Sequence, residues 1–260
     1  MDLHLVARCG YTVGMWRNEK YYDDPNFDPL TMKSYRAGAT TVSENISNVN
    51  CSSAKNFPNG VKTYTFVYDG TNWKLDNEIV DLSYYYITYT GTPVTGDEII
   101  VYVDESASFF QYELPRINSD ADYITLWFGI NDSAKCDLGT IEDTTVKTFY
   151  GALNWSMKYL IENFPLAHIG LIVSNCCSTN YQNAVRVIAK KWGVPYLDLV
   201  SDVNVPTVAG DRKNIDVPLD STLVSRWNNV FKVNPELNGH PNEFAHEYES
   251  TFIENWLRTL

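Results

Sequence analysis

Long apolar runs are missing from this chain of 260 residues. The longest, at residues 123–130 and 169–173, are far too short to cross a bilayer, so no membrane insertion is expected. The first residues, MDLHLVARCGYTVG, have no basic segment, no extended apolar core and no small-residue cleavage site. They do not read as a signal peptide. Positive charge is scarce: 20 Lys and Arg face 32 Asp and Glu, for a net charge of −12. Such a surface repels phosphate backbones, which argues against a nucleic-acid partner. Cysteine is also sparse, with five residues, no C-x-x-C pair, and Cys176 adjacent to Cys177. That pattern suits neither a disulfide framework nor a zinc site, and all five read as reduced thiols. Four histidines (His4, His168, His240 and His246) make an all-histidine metal centre improbable. No glycine-rich phosphate loop joins a strand to a helix, so a nucleotide-binding protein is disfavoured. Neither metal nor cofactor is expected.

What is present is globular: 44% hydrophobic, 20% charged and 14% aromatic residues. Two textures alternate along the chain. From about Ala121 onward it reads β-α-β-α-β. Residues 122–129 (DYITLWFG) form a short buried-type strand. Val146, Phe149, Leu153, Met157, Leu160, Ile161 and Phe164 then recur at helical spacing. Residues 168–174 (HIGLIVS) give a second strand, Tyr181, Val185 and Ile188 a helix ended by Gly193, and residues 194–200 a third strand. Strands separated by single helices imply parallel pairing with right-handed crossovers. A last helix carries Phe244, Tyr248, Phe252, Trp256 and Leu260 on one stripe.

Residues 43–108 differ. Residues 62–68 (KTYTFVY) alternate and run into Asp69-Gly70, a hairpin signal. Residues 72–75, 86–89 and 98–103 continue the pattern, making a compact antiparallel module. Its tyrosine-rich faces read first as cross-strand packing. Any exposed ones could stack on sugars. Residues 2–9 read as a short helix, 11–13 as the start of a strand, and 17–36 as loop.

Two motifs carry chemistry. Gly129-Ile130-Asn131-Asp132 directly follows a buried strand, where an open α/β sheet presents its ligand-binding loops. An Asn amide there can donate to a developing oxyanion, and a glycine lets substrate approach the backbone. A plain turn is the competing reading. Asn238-Gly239-His240-Pro241-Asn242 places a histidine in a Gly/Pro loop before the last helix, suited to moving protons near neutral pH. The competing reading there is a surface-loop histidine. Asn131, Gly129 and Asn238 are the expected substrate-binding residues.

Together and in this order, G-x-N-D after a central strand and H-P-N before a closing helix resemble the SGNH/GDSL hydrolase superfamily. Tyr112-Glu113-Leu114-Pro115, Asp120-Ala121-Asp122 and Trp192–Asp198 match its texture, and residues 238–260 resemble members found in phage tail and prophage proteins. Residues 64–103 look like a small β module of such tail proteins. The resemblance implies a flavodoxin-like three-layer α/β fold with a parallel central sheet, residues 1–42 and 109–260, interrupted by an antiparallel β insertion, residues 43–108. By that resemblance Asn131 is an oxyanion donor, His240 the general base, and Gly38, in Arg36-Ala37-Gly38-Ala39-Thr40, the second oxyanion glycine. No G-D-S-[LI] string supplies the serine nucleophile. The resemblance places that block just upstream of Met1, so the chain is expected either to be a fragment or to have lost it. Ser34, Ser43 and Ser133 lack the strand-to-helix turn that exposes such a hydroxyl. The family's acid stands three residues before the histidine, but Leu237 is there. Glu236, one residue earlier, is the candidate acid, and Asp132 is expected to support its loop.

The resemblance therefore implies a carbohydrate esterase or deacetylase of a phage tail or prophage protein. It would act on acylated cell-surface polysaccharide, in a virion tail or extracellular setting, as a homotrimer. The alternative is a non-catalytic receptor- or glycan-binding domain on the same fold.

Overall fold

A computed structural model describes residues 11–175, 177–201 and 243–260. The chain divides into two compact units: an α/β unit, Met1–Gly14 with Glu113–Leu260, and a β unit, Met15–Tyr112.

The β unit contains seven strands: β1 Tyr35–Thr41, β2 Ile46–Cys51, β3 Lys62–Tyr68, β4 Trp73–Leu75, β5 Glu78–Ile79, β6 Ile87–Gly91 and β7 Glu98–Glu105. Five form an antiparallel sheet in the order β1-β7-β3-β4-β5, and β2 pairs with β6. Alternation turns Tyr64 and Phe66 of β3 and Ile99, Val101 and Val103 of β7 inward. Ile46, Cys51 and Ile87 of the second sheet join the same core, with Phe57 fully buried among them. The Asp69-Gly70 hairpin forms as its residues demand, with Gly70 at φ +98 and the Asp69 carboxylate accepting from the Thr71 and Asn72 N–H groups. Asp76 and Asn77, both at positive φ, turn β4 into β5. A four-residue helix, α1 (Phe109–Tyr112), closes the unit.

The expected boundary at residue 43 is corrected by this sheet. The unit begins at Met15, because β1 pairs along its whole length with β7. The segment YRAGATT hides that role, since its alternation is interrupted by small residues and one face carries Gly38. Alone it offers little apolar surface; against β7 it is required.

In the α/β unit a 3-10 turn at Leu114–Arg116 precedes β8 (Tyr123–Leu126), α2 (Asp132–Lys135), α3 (Phe149–Asn163), β9 (His168–Val173), α4 (Thr179–Trp192), β10 (Tyr196–Asp198) and α5 (Glu243–Leu257). The three strands are parallel, in the order β10-β9-β8. Thr148 caps α3 by accepting the Gly151 N–H at 3.1 Å, and Pro165 follows its end. Gly193, at φ +66, ends α4 in the left-handed conformation after Lys190 and Lys191. On one sheet face Ile172 and Leu197 pack with Tyr248, Phe252, Ile253 and Trp256 of α5. Gly170 makes this possible: a Cβ there would stand 2.6 Å from the Trp256 ring.

The stripe expected on α5 is shifted. Phe244 is 65% exposed, while Ala245 and Glu249 are buried. Strict i, i+4 spacing drifts by about 40° per step around a helix of 3.6 residues per turn, so residues 244 and 256 do not share one face.

Candidate active-site loops at the sheet edge

The carboxyl ends of β8, β9 and β10 lead into three loops, and buried polar groups tie them down. Gly129 follows β8 at φ +127, and a Cβ there would lie 2.9 Å from Cys177 Sγ. Only glycine fits on both counts. The chain then turns into α2, whose first residue, Asp132, is fully buried.

Asp132 is the knot of the site. Its Oδ1 accepts the Val13 N–H at 2.9 Å and the Gly14 N–H at 3.3 Å, and its Oδ2 accepts the Gly129 N–H at 3.1 Å. One side chain thus binds residues 13–14 to a loop more than a hundred positions away. Burial pushes its pKa up to about 6, opposed by the hydrogen bonds from Gly14, Val13, Gly129 and Cys136. Glu113, also buried, is pushed up to about 7, first by burial and then by the charge of Asp132. Asn131 lies beside the knot, half-buried, with Nδ2 donating to the Tyr11 carbonyl at 3.0 Å. An amide nitrogen has two hydrogens. The second has no partner among the described residues.

The loop after β9 is fastened from α5. Asn175 Nδ2 donates to Glu249 Oε1 at 3.0 Å, and both side chains are buried. Burial raises Glu249 to about 7 against the Asn175 bond. Gln182 Nε2 donates to the Cys177 carbonyl at 2.9 Å, and the Tyr181 hydroxyl to the Cys136 carbonyl at 2.8 Å. After β10, Asp198 accepts the Val200 and Ser201 N–H groups at 3.0 Å each and pairs with Arg186 at 2.6 Å. Burial opposes its ionisation, yet the Arg186 bond and the Ser201 bonds hold its carboxyl below the usual range.

Of the residues expected from sequence, Gly129 and Asn131 stand at this edge. His240, Glu236 and Asn238 lie outside the described residues. Gly38 does not belong to this unit. It sits mid-strand in β1 opposite Tyr102, whose ring occupies the place of a Cβ, so its lack of a side chain serves the β sheet. Two glycines bond to Asp132 through their N–H groups, Gly129 and Gly14; a Cβ on Gly14 would crowd the Val146 carbonyl at 3.2 Å and the Ala152 methyl at 3.3 Å. Sequence reading also missed Glu113, Asn175 and Glu249. Glu249 left a faint signal, a carboxyl four positions after Ala245 on the buried face. Among the described residues, no group of three or more His, Cys, Asp or Glu side chains is placed to hold a metal ion.

No protein-family model and no curated protein matches the chain. Several solved structures resemble it distantly. A protein from Lactobacillus plantarum aligns at a TM-score of 0.46 and 22% identity, over 56% of this chain and 71% of that one. A protein described as a GDSL-like lipase from Bacteroides ovatus aligns at 0.40 and 18%, over 59% of this chain and 61% of that one. A peptidoglycan O-acetylesterase aligns at 0.39 and 11%, over 91% of this chain and 80% of that one. Likenesses of this order carry no chemistry across.

Proposed function

We propose that the α/β unit is an SGNH-type ester hydrolase unit that removes acyl groups from cell-surface glycan, in a phage tail or prophage protein. One observation supports the reading most. The Asn131 amide is fixed by the Tyr11 carbonyl, beside the buried Asp132 knot, at the carboxyl edge of a parallel sheet. A donor held in place before reaction stabilises a developing oxyanion without reorganisation. In this reading Asn131 supplies one such donor; the Gly14 N–H is already taken by Asp132. His240 acts as general base, and Glu236 orients it. No G-D-S-[LI] string in the 260 residues supplies the serine.

The test is hydrolysis of 4-nitrophenyl acetate and of an O-acetylated polysaccharide by the protein as its gene encodes it. Asn131→Ala should lower kcat about 10²–10³-fold, the usual effect of losing one oxyanion donor. An Asn131→Ala protein working at the wild-type rate overturns the assignment.

One observation favours a second reading, a non-catalytic glycan-binding domain on the same fold. The Asn131 amide is already engaged with a backbone carbonyl, as a purely structural asparagine would be. Retained glycan binding by that protein with no acyl release selects it.

A further inference from the structure

The β unit spends backbone strain on a tyrosine. Residues 81–86 form one tight turn: the N–H groups of Tyr84, Tyr85 and Tyr86 bond to the carbonyls of Asp81, Leu82 and Ser83. The Ile87 N–H closes back onto the Leu82 carbonyl at 3.0 Å. The residue that closes such a turn adopts a left-handed conformation, a place normally filled by glycine or asparagine because a larger Cβ crowds the following carbonyl. Here it is Tyr86, at φ +56. A bulky side chain in that region is an outlier that the rest of the structure must enforce.

The enforcement is visible. The Ser52 N–H and hydroxyl both donate to the Tyr86 carbonyl, at 3.0 and 3.3 Å, and Asn56 Nδ2 donates to the Tyr84 carbonyl at 2.7 Å. Asp81 grips Ser83 through both carboxylate oxygens, at 2.8 Å to the N–H and 2.7 Å to the hydroxyl. Tyr85 packs into the core, its ring 5.1 Å from those of both Phe57 and Phe66, and the Tyr84 ring stands edge-to-face on it, also at 5.1 Å. Anchored so, the turn holds the two flanking tyrosines outward: Tyr84 is 57% exposed and Tyr86 36%. Neither hydroxyl is bonded to another described residue. Packing therefore explains Tyr85 and leaves Tyr86 unexplained, although glycine would fit its backbone without strain.

We propose that Tyr84 and Tyr86 form a binding platform for a neutral oligosaccharide. Aromatic faces carry partial negative charge and attract the weakly positive C–H faces of a pyranose ring. Ser52, Asn56 and Asp81 beside them are short polar groups that suit sugar hydroxyls. A protein interface also uses tyrosines, but within a larger apolar core, and in residues 81–86 and the facing segment 52–56 these two tyrosines are the only exposed large hydrophobic side chains. A polyanionic glycan is opposed by Asp81 and by the chain's net charge of −12. The platform belongs to the β unit and does not depend on ester hydrolysis elsewhere in the chain.

The experiment passes the whole chain through native gels containing dextran or laminarin, a neutral α-glucan and a neutral β-glucan, and titrates it with chitohexaose by NMR. At least one probe should bind. Tyr84→Ala and Tyr86→Gly should each weaken that binding at least tenfold, while Tyr102→Ala, an exposed tyrosine on the outer sheet face, should leave it unchanged. Because glycine tolerates the backbone at position 86, Tyr86→Gly should lose binding with its Tm unchanged or raised. Binding by none of the three probes, full binding by Tyr86→Gly, a fall in its Tm, or equally strong retardation by dextran sulfate would each overturn the proposal.

Discussion

Both units bury acids, and one from each, Glu19 and Asp132, is satisfied by a different kind of partner. In the β unit Glu19 accepts from the Trp16 N–H at 3.1 Å and from the Ser106 and Ser108 hydroxyls at 2.8 and 3.3 Å. Burial drives its pKa up, against the Trp16 and serine hydrogen bonds. Hydroxyls rotate, and each can donate or accept, so this cluster adapts to a neutral carboxyl. In the α/β unit the principal partners of Asp132 are three backbone N–H groups, which only donate and cannot turn away. The adaptable cluster secures one end of a sheet. The rigid one sets the relative position of two loops, which is what a site at a sheet edge requires.

Substitutions can break that contrast. Asp132→Ala should have the largest effect, destabilising the protein by about 3 kcal/mol in urea unfolding, because it orphans several buried donors. Asp132→Asn should still cost about 2 kcal/mol, since its NH₂ must face a fixed N–H. If Asp132→Asn proves neutral, the rigidity argument fails.

Glu249→Gln tests the loop tie through pH. The folded carboxyl of Glu249 is raised to about 7 from 4.5, so its favourable contribution is complete below pH 4.5 and is lost as pH rises through 7. Glutamine keeps an oxygen for Asn175 and never ionises. Thermal unfolding should therefore show Glu249→Gln gaining on the wild type by on the order of 2 kcal/mol at pH 8, with no gain at pH 4. A constant difference across that range would show that ionisation of Glu249 plays no part.

Glu19→Gln should change stability by less than about 1 kcal/mol, because the serine hydroxyls can reorient around an amide. A loss matching that of Asp132→Asn would erase the distinction between the two clusters. Smallest of all, Lys33→Ala removes an exposed pair with Glu105 at 3.2 Å and should fall within about 0.5 kcal/mol by denaturant titration.

Much of the fold was legible before the structure. The strand at residues 62–68 lies where alternation put it, and the Gly193 helix stop and the parallel order of the last three strands follow from local signals. β1 was not legible, because its small-residue segment around Gly38 shows no strand pattern until β7 pairs with it along its length. The string Gly129–Asp132 marked the candidate site in the sequence, but the groups it bonds to were not visible there. Tyr11, Val13 and Gly14 reach it through backbone atoms that every residue type carries. Gly38 stood out as a glycine in a promising string, while the glycines bonded to Asp132 are Gly14 and Gly129. The pattern they share is absence of a side chain, and only packing says what that absence is for.

The sequence by itself determined the periods, the turns and the helix ends, because those depend on neighbours within a few residues. Tertiary structure decided which distant glycine bonds to Asp132, why Asp132 and Glu249 are buried, and that Tyr86 rather than glycine closes a left-handed turn. Those outcomes depend on groups brought together from distant parts of the chain, and on a backbone angle that no residue name records.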